Sequence, residues 1–124
     1  MYQFNSNAPI YLQLIEIIKQ QIINGTLTEN AKVKSVRDYA VEFGVNPNTV
    51  QKALSELEKQ GYIHTARTSG RFVALGKQDM LSAKLSIAEN KTQEYIKAMG
   101  DIACSSEEIL DLIKRELKKE GKQK

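Results

Sequence analysis

The sequence predicts a mainly α-helical chain with one small β-hairpin, and three observations carry that prediction. Two short helical patterns meet across Gly44-Val45-Asn46, and the second opens with a capping Asn and a Pro at its first helical position. Two short β-type runs, residues 62–65 and 71–75, flank a Ser69-Gly70 turn. A heptad-like apolar seam then runs through Leu81, Leu85, Ala88, Thr92, Tyr95, Ile96 and Met99.

Taken in order, residues 1–7 are expected to be extended, with Tyr2 and Phe4 on one side. Pro9 suits the first turn of a helix that runs to Asn24, where Gly25 stops it. Ile10, Leu14, Ile17, Ile18 and Ile22 form its apolar stripe. Residues 26–34 read as a polar connection. Ser35 is the expected cap of the next helix, with Asp38 three residues on in a capping-box arrangement. That helix, residues 36–43, turns Val36, Tyr39, Ala40 and Phe43 inward and ends at Gly44. The third helix runs from Pro47 to about Gln60, with Val50, Ala53, Leu54 and Leu57 facing in and Gly61 as its stop. The hairpin follows, and residues 76–79 read as a hinge. Gly100 is expected to interrupt the seam helix. Ser105 with Glu108 caps a last short helix carrying Ile109, Leu110, Leu112, Ile113 and Leu117, and the charged tail from Lys118 is expected to fray.

Three helices and a hairpin make a winged helix-turn-helix over residues 1–76, and residues 77–124 form a two-helix appendage. A chain of 124 residues with 41% apolar content supports a modest core of this kind. Its net charge of +3 is too small to establish nucleic-acid binding, so the placement of the cations must carry that argument. The single Cys104 cannot close an internal disulfide, which favours a reducing, cytoplasmic setting. It reads as a small apolar residue at a helix end, since no basic neighbour would activate it as a redox sensor. No basic-then-apolar leader opens the sequence, and no run approaches the roughly 20 apolar residues of a membrane span. An enzyme is not expected. His64 is the only histidine and lies in a predicted strand away from any Cys or carboxylate pair, and no Gly-rich phosphate loop or zinc-type cysteine cluster is present. No cofactor is therefore implied.

The major groove of DNA admits one α-helix and offers distinct donor and acceptor patterns at its base edges. The third helix puts Asn46, Asn48, Thr49, Gln51 and Lys52 where such a reader needs short polar or basic side chains. Asn and Gln can pair with adenine edges, while Thr can meet a phosphate or a thymine methyl. The alternative is that Asn46 only caps, and that Gln51 and Lys52 form a solvated face. Arg37, in the first turn of the second helix, can clamp a phosphate and reach a base edge, or else pair with a surface carboxylate. Arg67 and Arg71 flank a turn able to enter a narrow minor groove, or are ordinary solvated charges. With Lys34, Ser35, Ser69 and Gly70 beside them, these residues make the candidate DNA-binding set. The seam, with Ile109 and Ile113, packs within its own chain or against a second copy; twofold pairing supplies the burial that a short helix pair lacks. A pocket for a small-molecule effector is the runner-up for that region. A protein-interaction module without DNA binding is the alternative for the whole chain.

Residues 8–76 resemble the GntR family of bacterial transcription regulators. The resemblance rests on Pro9-Ile10-Tyr11, Gly25-Thr26-Leu27, Ser35-Val36-Arg37-Asp38, Gly44-Val45-Asn46-Pro47-Asn48-Thr49-Val50, Ala53-Leu54-Ser55-Glu56-Leu57-Glu58, Gly61-Tyr62-Ile63 and Gly70-Arg71-Phe72-Val73, in that order. The short two-helix tail looks like the YtrA subfamily. The resemblance implies operator binding by a homodimer through a winged helix, with DNA contacts from Arg37, Asn48, Thr49 and the wing tip around Gly70. The expected function is a homodimeric repressor on a pseudo-palindromic operator. Three places depart from the family pattern: Val33-Lys34 stands for Leu-Pro, Gln51 for a frequent Arg, and Ala66-Arg67-Thr68-Ser69-Gly70 for Arg-Arg-Gly-x-Gly. Lys34, Lys52 and Arg71 are the cations available to compensate.

Overall fold

The computed structural model describes residues 3–121. Met1, Tyr2 and residues 122–124 lie outside the described residues, and with them the expectations placed on Tyr2 and on the end of the tail. The elements are α1 (Ile10–Ile23), α2 (Val36–Phe43), α3 (Pro47–Lys59), β1 (Ile63–Ala66), β2 (Gly70–Val73), α4 (Lys77–Asp101) and α5 (Ser106–Gly121). The chain divides into two compact units after Lys84, inside α4.

Each helix of the first unit starts and stops where its own residues dictate. Ser35 Oγ accepts from the Asp38 N–H at 3.0 Å and caps α2. Gly44 closes α2 at φ 66°, a conformation that glycine adopts without the Cβ clash of other residues. Asn46 Oδ1 accepts from the Asn48 N–H at 2.7 Å, and Pro47 follows at the first helical position. An eight-residue helix such as α2 is marginal alone. Tyr39 and Phe43 anchor it, their rings stacked 5.9 Å apart, with Phe4 tilted against Phe43 at 6.3 Å. Burial pushes the Tyr39 phenol up to about 12, outweighing the opposing hydrogen bond from the Lys34 backbone, so the ring stays neutral.

Leu14, Ile15, Ile18 and Ile22 of α1 meet Val50, Ala53, Leu54 and Leu57 of α3, closed off by Val33, Ile63 and Val73. A Leu or Ile side chain taken wholly from water contributes roughly 1.5–3 kcal/mol. The phase of α1 differs from the expected stripe at two positions. Ile15 is buried, whereas Ile10 is 43% exposed, because the first turn of α1 projects past the core and lines a cleft beside the start of α3.

β1 and β2 pair antiparallel, with Ile63 opposite Val73 and Ala66 opposite Gly70. The strands span 63–66 and 70–73 rather than 62–65 and 71–75, since the turn is tighter; beyond Val73 the Ala74 N–H still donates to the Tyr62 carbonyl at 2.9 Å. Residues 26–34 are more than a connection. Lys32 forms an antiparallel bridge with Phe72, the Val33 N–H donates to the Arg71 carbonyl at 2.9 Å, and the Val73 N–H donates to the Ala31 carbonyl at 2.9 Å. The wing thus carries a third, edge segment.

Of the expected hinge at 76–79, residues 77–79 are helical. Asp79 lies in the first turn of α4, where a carboxylate complements the helix dipole. Gly100 does not interrupt α4 either. The reversal falls at Ala103, whose φ is 63°, with the Cys104 N–H donating to the Met99 carbonyl at 3.0 Å and the Ala103 N–H to Gly100 at 2.9 Å. This is a Schellman closure with alanine where glycine is usual. Ala103→Gly is therefore expected to stabilise the turn by about 0.5–1 kcal/mol, read as a higher midpoint in thermal unfolding followed by circular dichroism. Cys104 is half-buried just beyond it. Ser105 and Glu108 form the expected box at the start of α5: the Ser105 N–H donates to the Glu108 carboxylate at 2.9 Å and the Glu108 N–H donates to Ser105 Oγ at 3.2 Å. Hydrogen bonding from the Ser105 backbone, and then from its hydroxyl, holds the Glu108 carboxyl below its usual range. From Lys118 the chain stays helical to Gly121, supported by the Lys119–Glu116 pair at 3.1 Å.

Within the second unit, α5 buries no residue. Leu85 is 60%, Ile96 51%, Leu110 58% and Leu117 64% exposed. A groove of about 440 Å³ runs between α4 and α5, lined in part by Tyr95, Leu112, Ile113 and Leu117.

Candidate nucleic-acid interface

The α2–α3 turn spans only Gly44, Val45 and Asn46, and the Val45 N–H donates to the Ala40 carbonyl at 3.0 Å. That short, hydrogen-bonded link sets the two helices as a rigid pair. One face of α3 is locked into the core by four side chains that are fully buried, Val50, Ala53, Leu54 and Leu57. The opposite face presents Asn48, Gln51, Lys52 and Ser55 to solvent, with Thr49 half-buried beside them.

The candidate residues take different parts within this frame. Asn46 spends its amide oxygen on the cap, which leaves its NH2 as the free donor. Gln51 Nε2 donates to Ser55 Oγ at 3.2 Å, a bond to an exposed partner that a base edge can replace. Lys52 Nζ stands 3.9 Å from the centroid of the Tyr11 ring, a cation–π contact that orients the ammonium without neutralising it. Tyr11, Ile10, Asn48, Thr49 and Lys52 line one cleft of about 350 Å³, so the first turn of α1 frames the start of α3. The sequence pattern puts Ile10 in the apolar stripe of α1 and gives Tyr11 no role at this cleft. The signal for both was the length of α1, which is one turn more than its core stripe needs.

Arg37 lies in the first turn of α2, exposed and in no ion pair among the described residues. Ser35 is exposed and caps the same helix. Lys34 is engaged otherwise: its ammonium pairs with the Glu42 carboxylate one helix length away. In the wing, Arg67 and Ser69 are exposed in the turn, and Gly70 holds a φ of +109° that few other residues adopt. Arg71 is half-buried, and its Nε is withdrawn from solvent with no partner among the described residues. His64 is exposed and stacks on Phe72 at 5.9 Å. Among the described residues no group of three or more His, Cys, Asp or Glu is placed to hold a metal ion.

A recognition helix with one buried and one polar exposed face, a free arginine on the helix before it and a wing beyond it define a winged helix-turn-helix DNA-binding protein. The profile described as "Bacterial regulatory proteins, gntR family" matches residues 10–73. The chain is 34% identical over 112 residues to the uncharacterized HTH-type transcriptional regulator YhcF of Bacillus subtilis (strain 168), covering 90% of this chain and 93% of that one. It is also 34% identical over 92 residues to the transcriptional repressor YtrA of the same organism, covering 73% of this chain and 71% of that protein. A solved GntR family transcriptional regulator from Listeria monocytogenes superposes with a TM-score of 0.85 at 32% identity, over 90% of this chain and 98% of that one. The DNA-binding domain of AraR, solved in complex with operator ORX1, superposes at 0.54 and 28% identity, over 60% and 93%. The chain belongs to the gntR family of bacterial regulatory proteins, and its similarity to YtrA supports the YtrA-like subfamily. It is a DNA-binding transcription regulator rather than an enzyme, and the reading as an interaction module without DNA binding is not favoured. Among the described residues no helix is long and apolar enough to cross a membrane.

Proposed function

We propose that this chain is a cytoplasmic repressor that binds a pseudo-palindromic operator as a homodimer. The observation that carries the reading is the two-faced α3, whose polar residues Asn48, Gln51 and Lys52 are exposed while Val50, Ala53, Leu54 and Leu57 fix its orientation. Direct readout falls to Asn48, Thr49 and Gln51, with Asn46 as cap, and Arg37, Lys52 and the wing supply phosphate contacts. The apolar seam supports the dimer. Leu81, Leu85, Tyr95, Ile96 and Ile113 are all exposed in a single chain, and pairing with a second copy is the common way to cover such a stripe. Ala88, Thr92, Met99 and Ile109 complete the proposed interface. Two α3 helices related by twofold symmetry would read half-sites centred about 34 Å apart, or a multiple of that. Repression is the activity named for YtrA, and it comes to this chain on that similarity.

The test is a gel shift on DNA fragments selected from a random pool. Counterion release from six or more neutralised phosphates predicts a roughly thousandfold loss of affinity between about 50 and 200 mM salt. An affinity that does not change with salt would overturn the reading.

A further inference from the structure

We propose that Lys32, from the segment between α1 and α2, supplies the second cation of the wing and contacts the DNA backbone there. This rests on the reading of the wing as part of the DNA-binding surface. Lys32 bridges Phe72 at the outer edge of β2, two residues from Gly70. Two strand residues span about 6.7 Å, the reach of an extended lysine side chain. The structure fills that reach. A methyl group placed on Gly70 would stand 3.1 Å from Lys32 Cε and 3.9 Å from its Nζ. The stem of Lys32 therefore lies across the bare Cα of Gly70, and its ammonium sits at the tip of the wing. Lys32 is exposed and in no ion pair among the described residues.

Arg71 makes this placement consequential. It has the wing position from which a second cation would be expected, but its Nε is buried and the side chain is half withdrawn. Arg67 is the one cation of the turn itself, and it is exposed. A minor groove flanked by two phosphate rows favours more than one cation at the inserted tip. Lys32 meets that need from the neighbouring segment, over a glycine that gives it room. The lysine at 34, two residues on, is paired instead with Glu42 of α2.

The experiment measures binding of full-length protein to a selected operator by fluorescence anisotropy across a salt series. Wild type, Lys32→Gln and Lys32→Arg are compared. Glutamine keeps most of the stem and removes the charge. One lost phosphate contact per protomer, two per dimer, predicts a salt slope about 1.8 shallower, which amounts to roughly thirtyfold weaker binding at about 0.15 M salt. Lys32→Arg should restore the wild-type slope, which a purely packing role for the stem would not require. A Lys32→Gln slope equal to wild type overturns the proposal. A wild-type protein whose binding is itself insensitive to salt overturns the DNA reading instead, so the two failures are distinguishable.

Discussion

Arg37→Ala, which removes one contact from each of two protomers, is expected to weaken operator binding by roughly thirty- to ten-thousandfold while leaving the thermal midpoint nearly unchanged. The fork of an arginine donates two parallel bonds to a phosphate or a guanine edge, and losing one such contact costs about 1–3 kcal/mol. The side chain is exposed and unpaired among the described residues, so its removal leaves no buried partner behind. Its position is nonetheless fixed. The Ser35 cap, the Gly44 stop and the buried rings of Tyr39 and Phe43 hold α2 in place, so the backbone that carries Arg37 is already set in the free protein. Arg37→Lys keeps the charge but loses the fork, and its affinity should fall between wild type and the alanine variant. Anisotropy titrations beside thermal melts check both numbers. Unchanged affinity for Arg37→Ala would remove the residue from the interface, and a lowered midpoint would mean that it supports α2 instead.

The parts of this fold that could be read from sequence are those set by neighbours in sequence. Ser35 and Asp38, Asn46 and Pro47, and Ser105 and Glu108 each fix a helix start within one turn, and α2 and α3 begin and end as their caps dictate. The polar set of α3 was legible for the same reason, because the apolar residues at 50, 53, 54 and 57 define the opposite face. What escaped depends on partners distant in sequence. The burial of Ile15 in place of Ile10 is decided by where α3 crosses α1. The Lys34–Glu42 pair and the Lys52–Tyr11 contact join residues eight and forty-one positions apart. The edge segment of the wing has a sequence signal too short to stand alone, the apolar–polar–apolar alternation of Ala31, Lys32 and Val33. At Gly100 the residue type misled. A glycine inside a helix costs only about 1 kcal/mol, and the closing bonds to Met99 and Gly100 form around Ala103.

Replacing Ile96 and Ile113 together by glutamate is expected to convert the protein to a monomer and to reduce operator affinity by roughly a hundred- to ten-thousandfold. Neither side chain is fully buried in the single chain: Ile96 is 51% exposed and Ile113 38% exposed, with Ile113 on the wall of the α4–α5 groove. A thermal melt of the variant therefore accompanies the binding measurements, to separate loss of the dimer from loss of the helix pair. Against a second copy they place four carboxylates in an apolar seam, where each unpaired charge costs several kcal/mol. A bivalent dimer gains its second half-site at an effective concentration in the millimolar range, which single-site binding forfeits. Light scattering reads the oligomeric state, and anisotropy on full and half operators reads the affinity. The half-operator gives the decisive comparison. The double variant should bind it as wild type does, since Arg37 and the α3 face are untouched, and should lose only the advantage of the full site. A variant that stays dimeric would show that the seam between Leu81 and Met99 is covered by something other than a second copy. A variant that is monomeric but keeps full-site affinity would show that two reading heads assemble on DNA without it.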